Sequence, residues 1–501
     1  MSPRFACACL VLAVSAAALP LGLPAQTAGA ASVQVQLGDL LFAEARYAEA
    51  RDAYERATGA DDRRLAVRAG AGVVLSLLRT GEFGAAADAA AAFRQTHPAD
   101  ALTAAVHGDA LWSSGLFEEA ETAYAEAMRL DAAEPRAHHG RGRSLAATGQ
   151  LERAQADVQE ALRLNPREPE FHHTLGAIYE RMHRFDQAAA SLGSYLNLLP
   201  NRERSMKAAW ARAEIRFLES FAGRRPLEID APPPGGIWTV PIRIERDKVW
   251  VRGKVNGGVQ EFVLDTGAEQ TVISRDVARR RSIAPITYMQ SAGVGHIGLR
   301  GLQVGRIDQL EFGALKVRNV PCLIKNPPLG GLPGREPESF SPLALGLSMR
   351  VDYAKRQLEM GRALPPASYQ HELPMRMHRL AMVRGTINGS LPATFVVDTG
   401  GEVISISDAT AGLIQPAAPF RRIPLKVYGT SGWDKEAFLM PNVDLEFNRI
   451  RFTGIPVVVL NLRAPSALLG FQLGGIVGHK FLSRYRVTID MERSLVGLEG
   501  E

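Results

Sequence analysis

The chain has 501 residues, 46% of them hydrophobic and 22% charged, proportions that exclude collagen-like, wholly disordered and multi-span membrane classes. At about 150 residues per domain, the length predicts roughly three domains. Fifty-eight Lys and Arg against 53 Asp and Glu leave a net charge of +5, too little for a nucleic-acid footprint without a concentrated basic face; the run Arg279-Arg280-Arg281 reads as a solvated turn.

Residues 1–31 carry Arg4, then an apolar run from Phe5 to Leu23, then small residues through Ala28, Gly29, Ala30 and Ala31. This is the order of a secretory signal peptide. A membrane anchor needs about 20 uninterrupted apolar residues, and Pro20 and Pro24 interrupt this run. Cleavage near Ala30 would make the mature protein secreted and periplasmic, with no membrane span. Cys7 and Cys9 would leave with the peptide, and Cys322 would remain without an internal disulfide partner. Its setting, Val320-Pro321-Cys322-Leu323-Ile324, predicts a buried, inert thiol rather than a nucleophile.

Residues 33–202 contain five copies of one pattern. One copy reads Gly108, Gly115, Phe117, Ala120, Tyr124, Ala127, and the next Gly142, Gly149, Leu151, Ala154, Val158, Ala161, Pro166. Earlier copies carry Gly38, Tyr47, Ala50, Tyr54, Ala57 and Gly81, Phe83, Ala86, Pro98, and the last carries Leu175, Gly176, Tyr179, Phe185, Ala188, Pro200. Gly108, Gly142 and Gly176 are 34 residues apart. Each copy reads as two amphipathic helices with small residues where they touch, and such units must stack to bury their apolar faces. The pattern resembles the tetratricopeptide repeat, which predicts an all-α solenoid over residues 32–222 whose concave groove holds a protein partner or substrate. Residues 203–222, with Trp210, Ile215, Phe217 and Leu218, read as its capping helix. His138-His139 and His172-His173 are also 34 residues apart, so they share a repeat position, and no metal site is read into them.

Residues 223–236, with Pro232-Pro233-Pro234-Gly235-Gly236, read as a linker. Beyond it, short alternating runs rich in Val, Ile and Phe predict an all-β region. This region is duplicated. Pro241 through Phe262-Val263-Leu264-Asp265-Thr266-Gly267 matches Pro374 through Phe395-Val396-Val397-Asp398-Thr399-Gly400 at an offset of 133, whereas Asn256-Gly257 matches Asn388-Gly389 at 132, which puts a one-residue slip in the hairpin. Each Asp-Thr-Gly is followed by a strand, Gln270–Ser274 and Val403–Ser407. Each half then closes on an apolar pair, a Gly and a late Asp: Ala344-Leu345-Gly346 with Asp352, and Ile476-Val477-Gly478 with Asp490.

Two copies of apolar-apolar-Asp-Thr-Gly in matching contexts resemble the aspartic peptidases, here as two retropepsin-sized lobes in tandem, 237–363 and 364–501. The resemblance implies an all-β double-lobed domain with Asp265 and Asp398 as a catalytic pair and Thr266, Gly267, Thr399 and Gly400 supporting it. Two adjacent carboxylates cannot both ionise, so they share a proton, and a threonine hydroxyl from each lobe can lock the loops together. Ala268 and Gly401 follow the motif where pepsin-like relatives often carry Ser or Thr. Neither can donate to the carboxylate, so a dyad that titrates high and works at weakly acidic to neutral pH is expected. Gly293 and Gly295 in one half, and Tyr428 and Gly429 in the other, fit flap segments over a bound peptide. The stretch Gly293 to Gly298 also fits a G-x-G-x-x-G, but it lacks the strand before it and the helix after it that a dinucleotide site needs. From Gly346 to Asp352 is 6 residues, against 12 from Gly478 to Asp490, and this predicts that the first lobe has lost most of the short helix expected at Phe481–Tyr485. The whole reads as a secreted aspartic endopeptidase without metal or organic cofactor, its array recruiting a polypeptide. The rival reading is a non-catalytic periplasmic scaffold with an inactive peptidase-like domain, and a third is a peptidase restricted to one peptide or crosslink of the cell envelope.

Overall fold

The computed structural model describes residues 28–296, 298–325, 337–415 and 420–500. The signal-peptide reading falls almost wholly outside these residues; within them Ala31 is buried in the first helix.

Five helix pairs come first: α1 (Ala28–Ala43) with α2 (Tyr47–Glu55), α3 (Arg63–Thr80) with α4 (Phe83–Thr96), α5 (Ala101–Ser113) with α6 (Phe117–Leu130), α7 (Pro135–Ala147) with α8 (Leu151–Leu164), and α9 (Pro169–Arg181) with α10 (Phe185–Leu198). The helix α11 (Met206–Glu219) closes the stack. Inside each pair the chain turns through one left-handed residue: Ala45, Gly81, Gly115, Gly149 and His183. The glycines early in the pattern have a packing reason. A Cβ on Gly108 would stand 2.5 Å from the Tyr124 ring, and one on Gly38 2.6 Å from the Tyr54 ring. The paired histidines have matching structural partners, since His138 Nε2 contacts the Ala132 carbonyl at 2.9 Å and His172 Nε2 the Pro166 carbonyl at 3.0 Å. His139 instead packs at a tilt against Phe171, and His173 against Tyr195 and Trp210.

The region predicted as a linker is tied down. Glu228–Ile229 forms a short strand on Leu315–Ile324, and Arg318 pairs with Glu228 and Asp230.

Two similar β lobes follow. In the first, Trp238–Glu245, Lys248–Val255 and Gly258–Leu264 form an antiparallel run, matched in the second by His371–His378, Leu380–Ile387 and Leu391–Val397. Glu245 and Lys248 are paired across a two-residue turn, whereas His378 and Leu380 flank Arg379 alone. The next turn is Asn256-Gly257 in one lobe and Asn388-Gly389-Ser390 in the other. The one-residue slip is therefore lost at the first turn and regained at the second.

Both lobes use the same core chemistry. Phe262, Phe312 and Phe340 pack together in the first, with Phe312 and Phe340 stacked at 3.9 Å, while Phe395 meets Phe447 edge-on in the second. A six-stranded antiparallel sheet joins the lobes, in the order Trp238–Glu245, Gln357–Gly361, Ser348–Asp352, Tyr485–Asp490, Leu495–Gly500, His371–His378. The late aspartates Asp352 and Asp490 cap the turns in this sheet by accepting from the backbone of Lys355 and of Glu492 and Arg493. Cys322 lies buried in Leu315–Ile324, where burial pushes its thiol up to about 12.

The array is docked on the lobes by its intra-pair turns. Gly115 accepts from Thr394 Oγ1 at 2.6 Å, and Ser113 from the Gln472 N–H at 2.8 Å. Phe117 meets Phe471 edge-on, Trp112 lies against His378, and Arg376 and Arg384 pair with Glu118, Glu119 and Glu121. At the far end, Phe217 and Phe221 share an apolar cluster with Val304, Ile286 and Met289 of the first lobe. No described helix is long and apolar enough to cross a membrane.

Candidate active site

Asp265 follows the strand Gly258–Leu264 and Asp398 follows Leu391–Val397. Each is fixed by a parallel neighbour strand, Glu338–Phe340 in the first lobe and Gly475–Val477 in the second. The Asp265 N–H donates to the Phe340 carbonyl at 2.9 Å, and the Asp398 N–H to the Val477 carbonyl at 3.0 Å. This register corrects one sequence expectation. The counterpart of Ile476-Val477-Gly478 is Ser339-Phe340-Ser341, not Ala344-Leu345-Gly346. Gly346 is instead the left-handed cap of the one-turn helix Pro342–Leu345. That turn answers to His479–Leu482 in the second lobe, so the first lobe has kept its short helix, and the element lies two residues earlier than the predicted Phe481–Tyr485.

Buried Thr266 and Thr399 bridge the lobes reciprocally. Thr266 Oγ1 donates to the Val397 carbonyl at 2.6 Å and accepts from the Thr399 N–H at 3.0 Å. Thr399 Oγ1 donates to the Leu264 carbonyl at 2.9 Å and accepts from the Thr266 N–H at 3.1 Å. Four hydrogen bonds thus hold one aspartate loop against the other, and each hydroxyl serves as both donor and acceptor.

The glycines then bring the carboxylates together. Gly267 N–H donates to its own lobe's Asp265 Oδ1 at 3.1 Å and Gly400 N–H to Asp398 Oδ1 at 2.8 Å. A Cβ on Gly267 would lie 2.6 Å from Asp398 Cγ, and one on Gly400 2.7 Å from Asp265 Cγ, so any side chain there would push into the opposite carboxylate. Asp265 and Asp398 thus lie side by side, each against the other lobe's glycine. Burial, then the neighbouring Asp398, push the Asp265 carboxyl up to about 7; the hydroxyl of Ser339 and the charge of Lys248 act the other way.

Ala268 and Gly401 supply no hydroxyl, and a Cβ on Gly401 would sit 2.9 Å from Asp398 Oδ2. Ser339 reaches Asp265 from the neighbouring strand instead. Sequence reasoning missed it because the search for an apolar-apolar-Gly element settled on Gly346. Lys248 and the Arg379–Glu269 pair, 2.6 Å apart, were also missed. The duplication could have flagged Lys248, since it sits beside the turn where the slip occurs.

The predicted flap residues are brought to one another. Val427–Gly429 and Gly432–Asp434 form a hairpin with Tyr428 on Trp433. Against its tip lies the first lobe's glycine stretch, set between the strands Pro285–Ser291 and Arg300–Phe312, a context with no helix for a dinucleotide phosphate. The Ser431 N–H donates to the Val294 carbonyl at 3.0 Å, the Gly293 N–H to Ser431 Oγ at 3.1 Å, and the His296 N–H to the Trp433 carbonyl at 3.0 Å. Gly295, at φ 136, leaves room for the Ser431 backbone, which a Cβ would meet at 2.3 Å.

Comparisons with known proteins agree with this division of the chain. Family models match for gag-polyprotein putative aspartyl protease at residues 251–332 and for aspartyl protease at 383–478. Tetratricopeptide repeat models match at 31–63, 105–134 and 135–168. Solved structures similar to the array include a thermophilic TPR protein of Thermus thermophilus, at 23% identity over 38% of this chain and 98% of that one with a TM-score of 0.31. MamA is similar at 19% identity over 30% and 86% of the two chains, TM-score 0.24. No curated protein matches. The chain therefore carries tetratricopeptide repeats followed by two aspartyl protease domains in tandem.

Proposed function

We propose that the protein is a secreted, periplasmic aspartic endopeptidase in which Asp265 and Asp398 activate a water molecule against a peptide bond. The observation that carries this reading is the reciprocal Thr266–Thr399 bridge, which holds two carboxylates of one chain beside each other. With one proton shared, the ionised carboxylate takes a proton from water as the oxygen attacks the carbonyl carbon, and the protonated one donates to the carbonyl oxygen. Collapse of the tetrahedral intermediate breaks the C–N bond as the amide nitrogen takes up a proton. The roles belong to the pair rather than to either residue. The raised Asp265 supports an optimum at weakly acidic to neutral pH; an optimum below about pH 3 would contradict it.

The array supports recruitment of a polypeptide. A cavity of about 310 Å³ on the array is lined by the partly exposed Phe42 and Leu102 beside Arg68, Arg136 and Glu168, a mixture suited to a segment with apolar and charged side chains. Holding a weakly bound substrate on the same molecule would raise its concentration at the cleft. The test is hydrolysis of a denatured protein across pH 3–8 by wild type, Asp265→Asn and Asp398→Asn. Cleavage by wild type and loss of at least about 100-fold in each variant is expected. Equal cleavage by the variants, or none by wild type, would favour the scaffold reading.

A further inference from the structure

The two lobes repeat each other closely around the dyad, and one of the places where the repetition breaks is a charged side chain that reaches the opposite lobe. Lys248 opens the strand Lys248–Val255 after the turn Arg246-Asp247, both of whose residues are left-handed. It is partly buried, and its Nζ donates to the Gly400 carbonyl of the other lobe at 2.8 Å. By strand register its counterpart is Leu380, because Lys248 pairs with Glu245 as Leu380 pairs with His378. One side of the dyad therefore faces an ammonium and the matching position on the other side is apolar.

The tip that presents Lys248 is anchored. Asp247 pairs with Lys480 at 3.7 Å, and the helix bearing Lys480 is fastened to the second aspartate loop by His479 N–H to the Gly401 carbonyl at 2.7 Å and Lys480 N–H to the Glu402 carbonyl at 3.0 Å. The shorter tip of the other lobe reaches across as well, but with Arg379 on the side chain of Glu269, beyond the loop rather than at its glycine.

We propose that Lys248 is a positioning residue of the dyad: its ammonium holds the Asp398-Thr399-Gly400 loop by the Gly400 carbonyl and sets a positive charge on one side of the carboxylate pair, so that the pair carries its single negative charge down to lower pH. The consequence for hydrolysis rests on the peptidase reading; the consequence for titration does not. The charged and titratable groups around Lys248 are Asp265 and Asp398 at the dyad, Glu245 opposite it across the hairpin, Arg246 and Asp247 in its own turn, and His479 and Lys480 on the neighbouring helix. Burial holds His479 below its ordinary range, with Asp247 opposing and Lys248 adding to the shift. Asp265 feels the Lys248 charge in the direction that favours ionisation.

The test is made on the full chain with Lys248→Met and Lys248→Arg. Two readouts are compared with wild type: the pH profile of kcat/KM on a denatured protein, and the titration of 13C-labelled aspartate carboxyls, with the dyad signals identified by their loss in Asp265→Asn and Asp398→Asn. Lys248→Met should move both limbs of the profile, and the dyad titration, to higher pH by about half a unit to one unit. Lys248→Arg should leave both in place. A lysine of merely structural importance would lower kcat without moving either limb, and that result, or an unmoved titration, overturns the proposal. If wild type cleaves nothing, the peptidase reading fails while the carboxyl titration still decides on Lys248. Should Lys248→Met not fold, Lys248→Gln removes the same charge with a side chain that can still donate to Gly400, and the same shift is required of it.

Discussion

Thr266 and Thr399 each make two hydrogen bonds across the lobe boundary, and a valine in either place would leave a buried N–H and a buried carbonyl without partners. Thr266→Val should cost about 2–4 kcal/mol, read by urea unfolding, and Thr399→Ser should cost far less because the hydroxyl remains. The dyad carries a second signature. Asp265 is raised, so the fold favours its neutral form and loses stability as pH climbs from the ordinary carboxylate value of 3.8 toward about 7. Asp265→Asn should accordingly match wild type in unfolding temperature near pH 4 and exceed it at pH 8, while abolishing cleavage. A variant less stable than wild type at pH 8 would contradict this account of the dyad. The pair Asp265 and Asp398 was legible in the sequence because the motif is short and its chemistry admits few substitutes. Ser339 was not, because its role comes from a strand partner some seventy residues away in the chain, and nothing local to Glu338-Ser339-Phe340 announces it.

The helix pairs show where local pattern is enough and where it is not. The intra-pair turn needs a left-handed residue; glycine fills it at Gly81, Gly115 and Gly149, and His183 fills it at φ 58 in the last pair. Replacing His183 by Gly should stabilise the protein by about 0.5–1 kcal/mol, provided its imidazole contributes little. Gly115→Ala should destabilise by at least as much, since its Cβ would also stand 2.9 Å from the Gln472 carbonyl of the second lobe; thermal unfolding reads both. The solenoid, its capping helix, the duplication and the all-β class were legible in periodicity and punctuation. The closing element of the first lobe was not. An apolar pair followed by glycine occurs there at Leu345-Gly346, but that glycine serves a helix end, and the structural position of Gly478 is taken by Ser341. Pairing register, which a single chain does not display, decides between the two.

At the scale of the molecule, the array packs directly on the two-lobed β domain. Its turns accept hydrogen bonds from Thr394, in the strand that leads to Asp398, and from Gln472. The same interface buries acids. Burial pushes Glu180 of α9 up to about 7 and raises Glu214 of α11 well above its ordinary range, each opposed by Arg379, with Glu180 and Glu269 further raising Glu214. A carboxyl raised in the fold stabilises nothing by ionising, and the folded state loses ground to the unfolded one as pH rises from about 4.5 through the raised value. Glu214→Gln should therefore leave stability unchanged at pH 4 and raise it by about 1–3 kcal/mol at pH 8, measured by calorimetry at the two pH values. This docking was not legible in the sequence, because helical periodicity does not distinguish Glu180 and Glu214, whose carboxyls are raised by burial, from polar positions that face solvent.

The central claim is that two lobes of one chain build one dyad, and mixing tests it most directly. Wild type, Asp265→Asn, Asp398→Asn and an equimolar mixture of the two variants are each incubated at pH 6 with a denatured protein, and the products are counted by mass spectrometry. Cleavage by wild type alone is predicted, with the mixture as inactive as its parts, because each variant chain holds one carboxylate and one amide in its own site. Cleavage restored by mixing would mean that the dyad forms between chains, and cleavage by either variant alone at the wild-type rate would mean that these aspartates are not the catalytic pair.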